Sequence, residues 1–417
     1  MSNSFSQNID IFFDQVVEGF DALNISAKNV ELYKPNSNDL ALGGQTFYRP
    51  MPMLTEVVDG RDMSSSYKDL TELTVPSTLT ESHLRNVPVQ FVGKDLNNEH
   101  VMRNSVEAAK IMLSNKLDTL VAQEIANKGT LAVINSSTIA SYDDAAEADA
   151  LMLEQQCTRG QRVMLLNPRM AKNLAGNLAS RGTMAGAPMD AYTRSALPPI
   201  GGFDTYRVDY AKSITGSSGT GYLVNGASQN TTPASTDGNG IPVDNRTQTL
   251  VVDTGTGGAA GDVFTIAGVN SVGHINKQDT GQLKTFRIIS VTDSTHWVIS
   301  PAIIPADGAA ASQKAYANVT TTPADNAAIT ILNTVTKPVS VFYEKAAVEI
   351  VHADFNTDAF TASGKMVRKA TTDSGVQIVM LSDSSIDTLT AKYRLFVWAN
   401  ATVLNPELAG IMLESQT

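Results

Sequence analysis

A single cysteine, Cys157, stands in 417 residues. One thiol can neither close an intramolecular disulfide nor build a multi-cysteine metal cluster, and it fits a reducing compartment. No histidine lies near it in sequence, so it reads as an inert thiol and not a nucleophile. Histidine itself is scarce: none of His83, His100, His274, His296 and His352 stands four residues from another, which removes His-x-x-x-His zinc sites. His296, at the edge of an expected strand, suits a capping or packing role better than a ligand's. Positive charge is short as well. The net charge of -11 leaves the chain without an overall electrostatic pull on nucleic acid. No apolar run approaches the roughly 18 residues of a membrane span, and Met1–Asp10 lack the basic-then-apolar order of a secretory signal. A cytoplasmic product with no membrane partner is expected.

What remains is ordinary folding material. Hydrophobic residues make up 42% and charged ones 18%, which excludes wholesale disorder, and the length calls for two or more compact units. Gly255–Ala260 satisfies Gly-x-Gly-x-x-Ala, but a dinucleotide loop must open a helix whose amides face the pyrophosphate. An apolar strand, Val263–Ile266, follows instead, so a hairpin is expected. Neither a phosphate-loop lysine motif nor a Gly-x-Ser-x-Gly elbow occurs. Asp237–Arg246 is acidic and turn-rich but lacks the closing glutamate of a calcium loop. The expectation is therefore no catalytic residue, no cofactor, no metal and no enzymatic activity.

The pattern along the chain changes in blocks. Ile9, Phe12, Val16, Phe20 and Leu23 recur at helical spacing and mark a short amphipathic arm, residues 1–35. Residues 36–96 hold prolines at 50, 52 and 76 among short extended runs such as Thr46–Tyr48, and read as an extended β-loop with a peripheral β segment. Over 97–129 the spacing of Met102, Val106, Ala109, Leu113, Leu117 and Leu120, with Asn98 as N-cap and Gly129 as stop, predicts a helix about 45 Å long. Its polar positions include Arg103, Lys110 and Lys116. Residues 130–221 and 344–417 read as α/β, with helices over Ala145–Gln156 and Arg169–Ser180 bracketing a strand at Arg162–Leu166, and a loop near Gly182–Ala187. Between them, 222–343 turn to short strands separated by Gly and Asp, with Val252, Phe264, Ile266, Ile288, Val298 and Ile331 as the expected core of an inserted all-β barrel or Ig-like domain.

The order arm, extended loop, spine helix, α/β domain resembles the HK97-like capsid fold of tailed bacteriophages. Within the β segment, Val243–Arg246, Gly261–Asp262 with Phe264, Ala267–Val269, Thr295–His296, Gln313–Val319, Ala324–Asp325 and Ile331–Asn333 resemble the coat proteins of short-tailed phages of the Salmonella P22 type. Gly129–Ile134 and Gly202–Asp204 continue the likeness in order. The resemblance implies an α+β capsid subunit that self-assembles as hexamers and pentamers into an icosahedral shell. It also implies a procapsid built around a scaffolding protein, a portal protein at one vertex, and expansion on packaging of double-stranded DNA. A shell that merely encloses DNA, without sequence-specific contact, needs no basic face. The virion is the expected location, after assembly in the host cytoplasm. From another class, an Ig-like module could belong to a phage tail or host-surface binding protein. Expected contacts between subunits are Phe12, Phe20, Phe47 and Tyr48 in the arm and loop, and the acidic loop 236–246 with Asp237 and Asp244. Arg246 could instead anchor that loop's base by pairing with an aspartate.

Overall fold

A computed structural model describes residues 13–35, 46–51, 61–62, 73–92, 99–156, 160–180, 186–306 and 315–416, apart from isolated positions within those ranges. Phe12, Asn98, Cys157 and most of the Gly182–Ala187 loop lie outside them, as do the side chains of Met102, Arg103 and Val106. The chain divides into two compact units, one from 1–47, 77–121 and 349–402, the other from 48–76, 122–348 and 403–417.

The long helix is Glu99–Lys128. It contains no Gly or Pro, and Ala109, Leu113, Leu117, Val121 and Ile125 form a buried stripe along it. Leu120, expected on that stripe, is only half-buried and Val121 takes its place, because a 3.6-residue period drifts against a fixed spacing. Gly129 closes the helix by donating to the Ile125 carbonyl at 2.7 Å.

In the first unit, helical residues between 13 and 23 bury Val16 and Phe20 completely. Asp118 of the long helix, buried, accepts from the amides of Ile25 (3.2 Å) and Ser26 (2.8 Å) and so fixes where the arm turns. The unit's sheet runs in the order Glu31–Tyr33, Val348–His352, Thr390–Val403, Gln377–Ser385, Met366–Thr371, with Leu84–Val92 also paired to Thr390–Val403. Leu32 lies opposite Ile350 and Val87 opposite Leu395, so distant segments build this sheet. Leu395, Phe396 and Val397 are all buried, so the central strand is covered on both faces.

The second unit holds two five-stranded sheets. The mixed one runs Leu131–Ile134, Ala409–Leu413, Ser340–Glu344, Arg162–Leu166, Asp204–Arg207. Helices Tyr142–Glu154 and Pro168–Ala179 bury Ala145, Ala148, Met152, Met170 and Leu174 in one core with Met164, Leu166, Phe203 and Phe342. Each starts at a capping side chain: Ser141 Oγ accepts from the Asp144 amide, and Asn167 Oδ1 from those of Arg169 and Met170. Pro168 at the first helical position costs nothing there, since its missing N–H has no intrahelical partner.

The other sheet is antiparallel throughout, in the order Ile329–Ile331, Val263–Val272, Asp279–Asp293, His296–Ser300, Gln248–Val251. Its core gathers Val252, Phe264, Ile266, Phe286, Ile288, Trp297 and Ile299, with Ile331 packed against it. Trp297 meets Tyr222 and Phe264 edge-on, with centroids 4.5 and 5.9 Å away. Val298 was expected in this core and is not; Trp297 and Ile299 point inward, and the period of two turns Val298 to the opposite face.

Candidate assembly surfaces

The expected contact residues have separate fates. Phe12 lies outside the described residues. Phe20 is wholly buried, and Phe47 is buried among Leu79, Val351 and Ala353 with Tyr33 edge-on at 6.4 Å. Both are core residues of their own chain. Tyr48, next along the strand Thr46–Pro50, points the other way and is 42% exposed. Of the three described aromatics, it alone offers its ring to another molecule.

The acidic loop is built from its base upward. Arg246 Nε and Nη2 reach the two carboxylate oxygens of Asp244 at 2.9 and 2.8 Å, a bidentate pair. The same guanidinium donates to the carbonyls of Val403 (2.6 Å) and Pro76 (3.3 Å). Arg246 is thus the anchor that the sequence allowed it to be, and Asp244 is its counterion. At the tip, Asp237 Oδ1 accepts from the amides of Asn239 (2.8 Å) and Ile241 (2.9 Å), while Gly240 takes the left-handed φ of 79° that closes the turn. The Ile241 and Asn239 amides hold the Asp237 carboxyl below the usual carboxylate range. A fixed charge therefore stands at the tip beside the exposed Ile241 side chain.

Elsewhere, His296 Nδ1 lies 2.9 Å from Asp293 Oδ1 and closes the turn between two strands; its hydrogen bond, with those from Thr295, brings Asp293 down to about 2. Gly255–Ala260 leads into the strand Val263–Val272 and not into a helix, but the expected hairpin is not there: Gln248–Val251 and Val263–Val272 lie apart in the sheet, and the segment is a loop that crosses between them. No group of three metal-ligating side chains occurs among the described residues. Exposed apolar side chains include Ile111 and Met112 on the long helix and Tyr192 on the helix Ala187–Arg194. A groove in the first unit is lined by Pro88, Val89, Phe360, Leu381 and Tyr393. Sequence reasoning passed over these surfaces, because a side chain exposed in one subunit leaves no periodic signal.

An anchored loop and exposed apolar side chains, with no metal-ligating cluster among the described residues, fit the class of structural subunits better than that of enzymes. The family model "P22 coat protein – gene protein 5" matches residues 1–414, and the chain belongs to that family. It is a major capsid protein, the self-assembling subunit of a phage shell, which sets aside the tail or host-surface reading. Among solved structures, the CUS-3 coat protein I-domain is 42% identical, covering 29% of this chain and 98% of its own, with a TM-score of 0.23. A Mycobacterium phage Che8 chain is 10% identical over 93% of this chain and 90% of its own, at a TM-score of 0.44. The capsid of Cyanophage P-SCSP1u gives 9%, 95%, 87% and 0.42 for the same four quantities.

Proposed function

We propose that this coat subunit, with an HK97-like fold, forms hexamers and pentamers of an icosahedral shell, first as a procapsid around a scaffolding protein, with a portal protein at one vertex. Packaging of double-stranded DNA, enclosed without sequence-specific contact, then expands the shell. Assembly takes place in the host cytoplasm, and the role is structural, with no catalysis. Residues 222–343 act as an inserted β domain; their separate aromatic core supports this.

The observation that carries the reading is the loop 236–246. A four-point anchor at Arg246 and a doubly hydrogen-bonded carboxylate at Asp237 make sense for a loop that must hold one shape against a partner. Asp237 then meets a basic residue of another subunit across a contact between capsomers. An exposed ion pair contributes only about 0–1 kcal/mol, but a closed shell repeats it at every equivalent contact. Asp237→Lys should give a folded subunit whose shells are unstable or replaced by tubes, with the defect easing in high salt. Electron microscopy of particles assembled with scaffolding protein decides this. Normal closed shells at low salt would remove Asp237 from the contact. In the same reading Tyr48, exposed on its strand, makes a second contact, and Tyr48→Ala should lower shell yield without changing subunit stability.

A further inference from the structure

Two helices of the second unit end against one strand of the antiparallel sheet, and at each end that strand supplies a buried cation. Arg287, 1% exposed, donates to the carbonyls of Ala126 and, at 3.4 Å, of Gly129, where the long helix stops. Burial draws its pKa down to about 10, so it stays charged at neutral pH, with the Asp262 charge partly opposing the shift. Lys284, wholly buried, pairs with Glu407 and reaches Gln155 Oε1 at 3.4 Å, where Gln155 caps the C-terminus of Tyr142–Glu154. Between them Thr285 Oγ1 donates to the Thr130 carbonyl at 2.7 Å. Helix C-termini carry partial negative charge and unsatisfied carbonyls, so both cations sit where the backbone attracts them. The same sheet adds backbone contacts at its hairpin: the His274 amide donates to the Gln155 carbonyl and the Asn276 amide to Gln156 Oε1.

One group there is out of balance. His274 Nε2 is buried with no hydrogen-bond partner, 3.8 Å from Glu407 Oε1. The one carboxylate facing it among the described residues, Glu407, is already claimed by Lys284, and Lys277 stands near as well. A proton on His274 would make three cations share one anion. We propose that this strand is an acid-sensitive clasp: Lys284 and Arg287 fasten the antiparallel sheet to two helix ends, and protonation at the His274–Glu407 pair opens that junction while both sides stay folded.

The direction follows from linkage. Burial holds His274 neutral, with its pKa lowered from 6.5 to about 4. Once the junction opens and water enters, the ring returns to its ordinary value, so between those two pH values the open form binds a proton that the closed form refuses. Falling pH therefore favours opening. Burial alone would raise the Glu407 carboxyl, but Lys284 overrides it and holds the group below its ordinary range, so its protonation adds to opening only at still lower pH. From pH 7.5 to 5.0 the open population should rise about 30-fold.

Hydrogen exchange on the full-length subunit, corrected for the intrinsic pH dependence of exchange, tests this. The amides of His274 and Asn276, which bond across the junction, should lose protection roughly 10- to 30-fold between pH 7.5 and 5.0. Those of Val263–Ile266 and Val163–Leu165, inside the two sheets, should keep theirs. In His274→Gln, which cannot take up the proton, the junction's pH response should vanish. Loss of protection that is uniform across both sheets would overturn the clasp, as would no loss at the junction, or a response that survives in the glutamine variant.

Discussion

The six-stranded sheet of the first unit and the antiparallel sheet of the second are similar in size and differ in how far apart in sequence their added strands lie. In the first, Met366–Thr371, Gln377–Ser385 and Thr390–Val403 also follow one another as hairpins, but Leu32 pairs with Ile350 and Val87 with Leu395, so Glu31–Tyr33 and Leu84–Val92 join only after long loops close. In the second, Val263–Val272, Asp279–Asp293 and His296–Ser300 follow one another directly as hairpins. Loop closure must be met before a distant pairing contributes anything, so the antiparallel sheet's hairpins should form early and the six-stranded sheet should be completed late. Local order also means that the second sheet's core depends little on strands from elsewhere.

That contrast can be broken most directly at Trp297. Trp297→Ala should cost about 3–5 kcal/mol, seen as an earlier denaturant transition of the antiparallel sheet. The first unit's transition should stay in place; a common shift of both would mean that the two regions unfold as one. Ile350→Ala, opposite Leu32 in the most distant pairing of the six-stranded sheet, should cost about 2–5 kcal/mol and mainly speed unfolding, since late contacts are absent from the transition state. Stopped-flow refolding slowed by the full amount would place that strand in the nucleus instead.

A smaller effect separates the regions by pH. His352, buried in the first unit, has its pKa lowered first by burial and then by Lys34, against Asp354. The folded state holds it neutral, so its contribution is intact above the ordinary histidine value of about 6.5 and is lost as pH falls below it. Thermal melts of His352→Gln should be less acid-sensitive than wild type; equal sensitivity would assign acid lability to other groups. The smallest effect concerns Ser77, whose hydroxyl donates to Thr402 Oγ1 at 3.0 Å in a buried setting. Ser77→Ala should cost about 1 kcal/mol by chemical denaturation, and no measurable change would mean that Thr402 finds another partner.

The same contrast explains what the sequence disclosed. The antiparallel sheet was legible because turns and apolar runs alternate over a few residues, and the long helix because its stripe is uninterrupted. Val298 was misplaced because Trp297–Val298–Ile299 is apolar throughout and shows no alternation. The strand Ala409–Leu413 went unread: Gly410 speaks against a strand, yet a Cβ there would meet the Leu131 backbone at 2.7 Å, so glycine is what lets the two strands approach. Arg287 and Lys284 looked like ordinary polar strand positions. Nothing local shows that a charge points inward to a helix end formed some 150 residues earlier. Of the contact residues, Phe20 and Phe47 obeyed the rule that large aromatics go to the nearest core, and composition could not say whether that core was their own.

The clamp at the base of the loop 236–246 has a thermodynamic consequence. A flexible loop loses backbone freedom of about 1–2 kcal/mol per residue when a partner fixes it, a penalty that commonly exceeds what one exposed contact returns. Here the bidentate Arg246–Asp244 pair, the two backbone carbonyls held by Arg246 and the turn at Gly240 have already removed that freedom during folding. Whatever meets the Asp237 tip encounters a shape set in advance, so a contact too weak to order a loose segment can still register, and many such weak contacts remain individually reversible while a lattice corrects its errors.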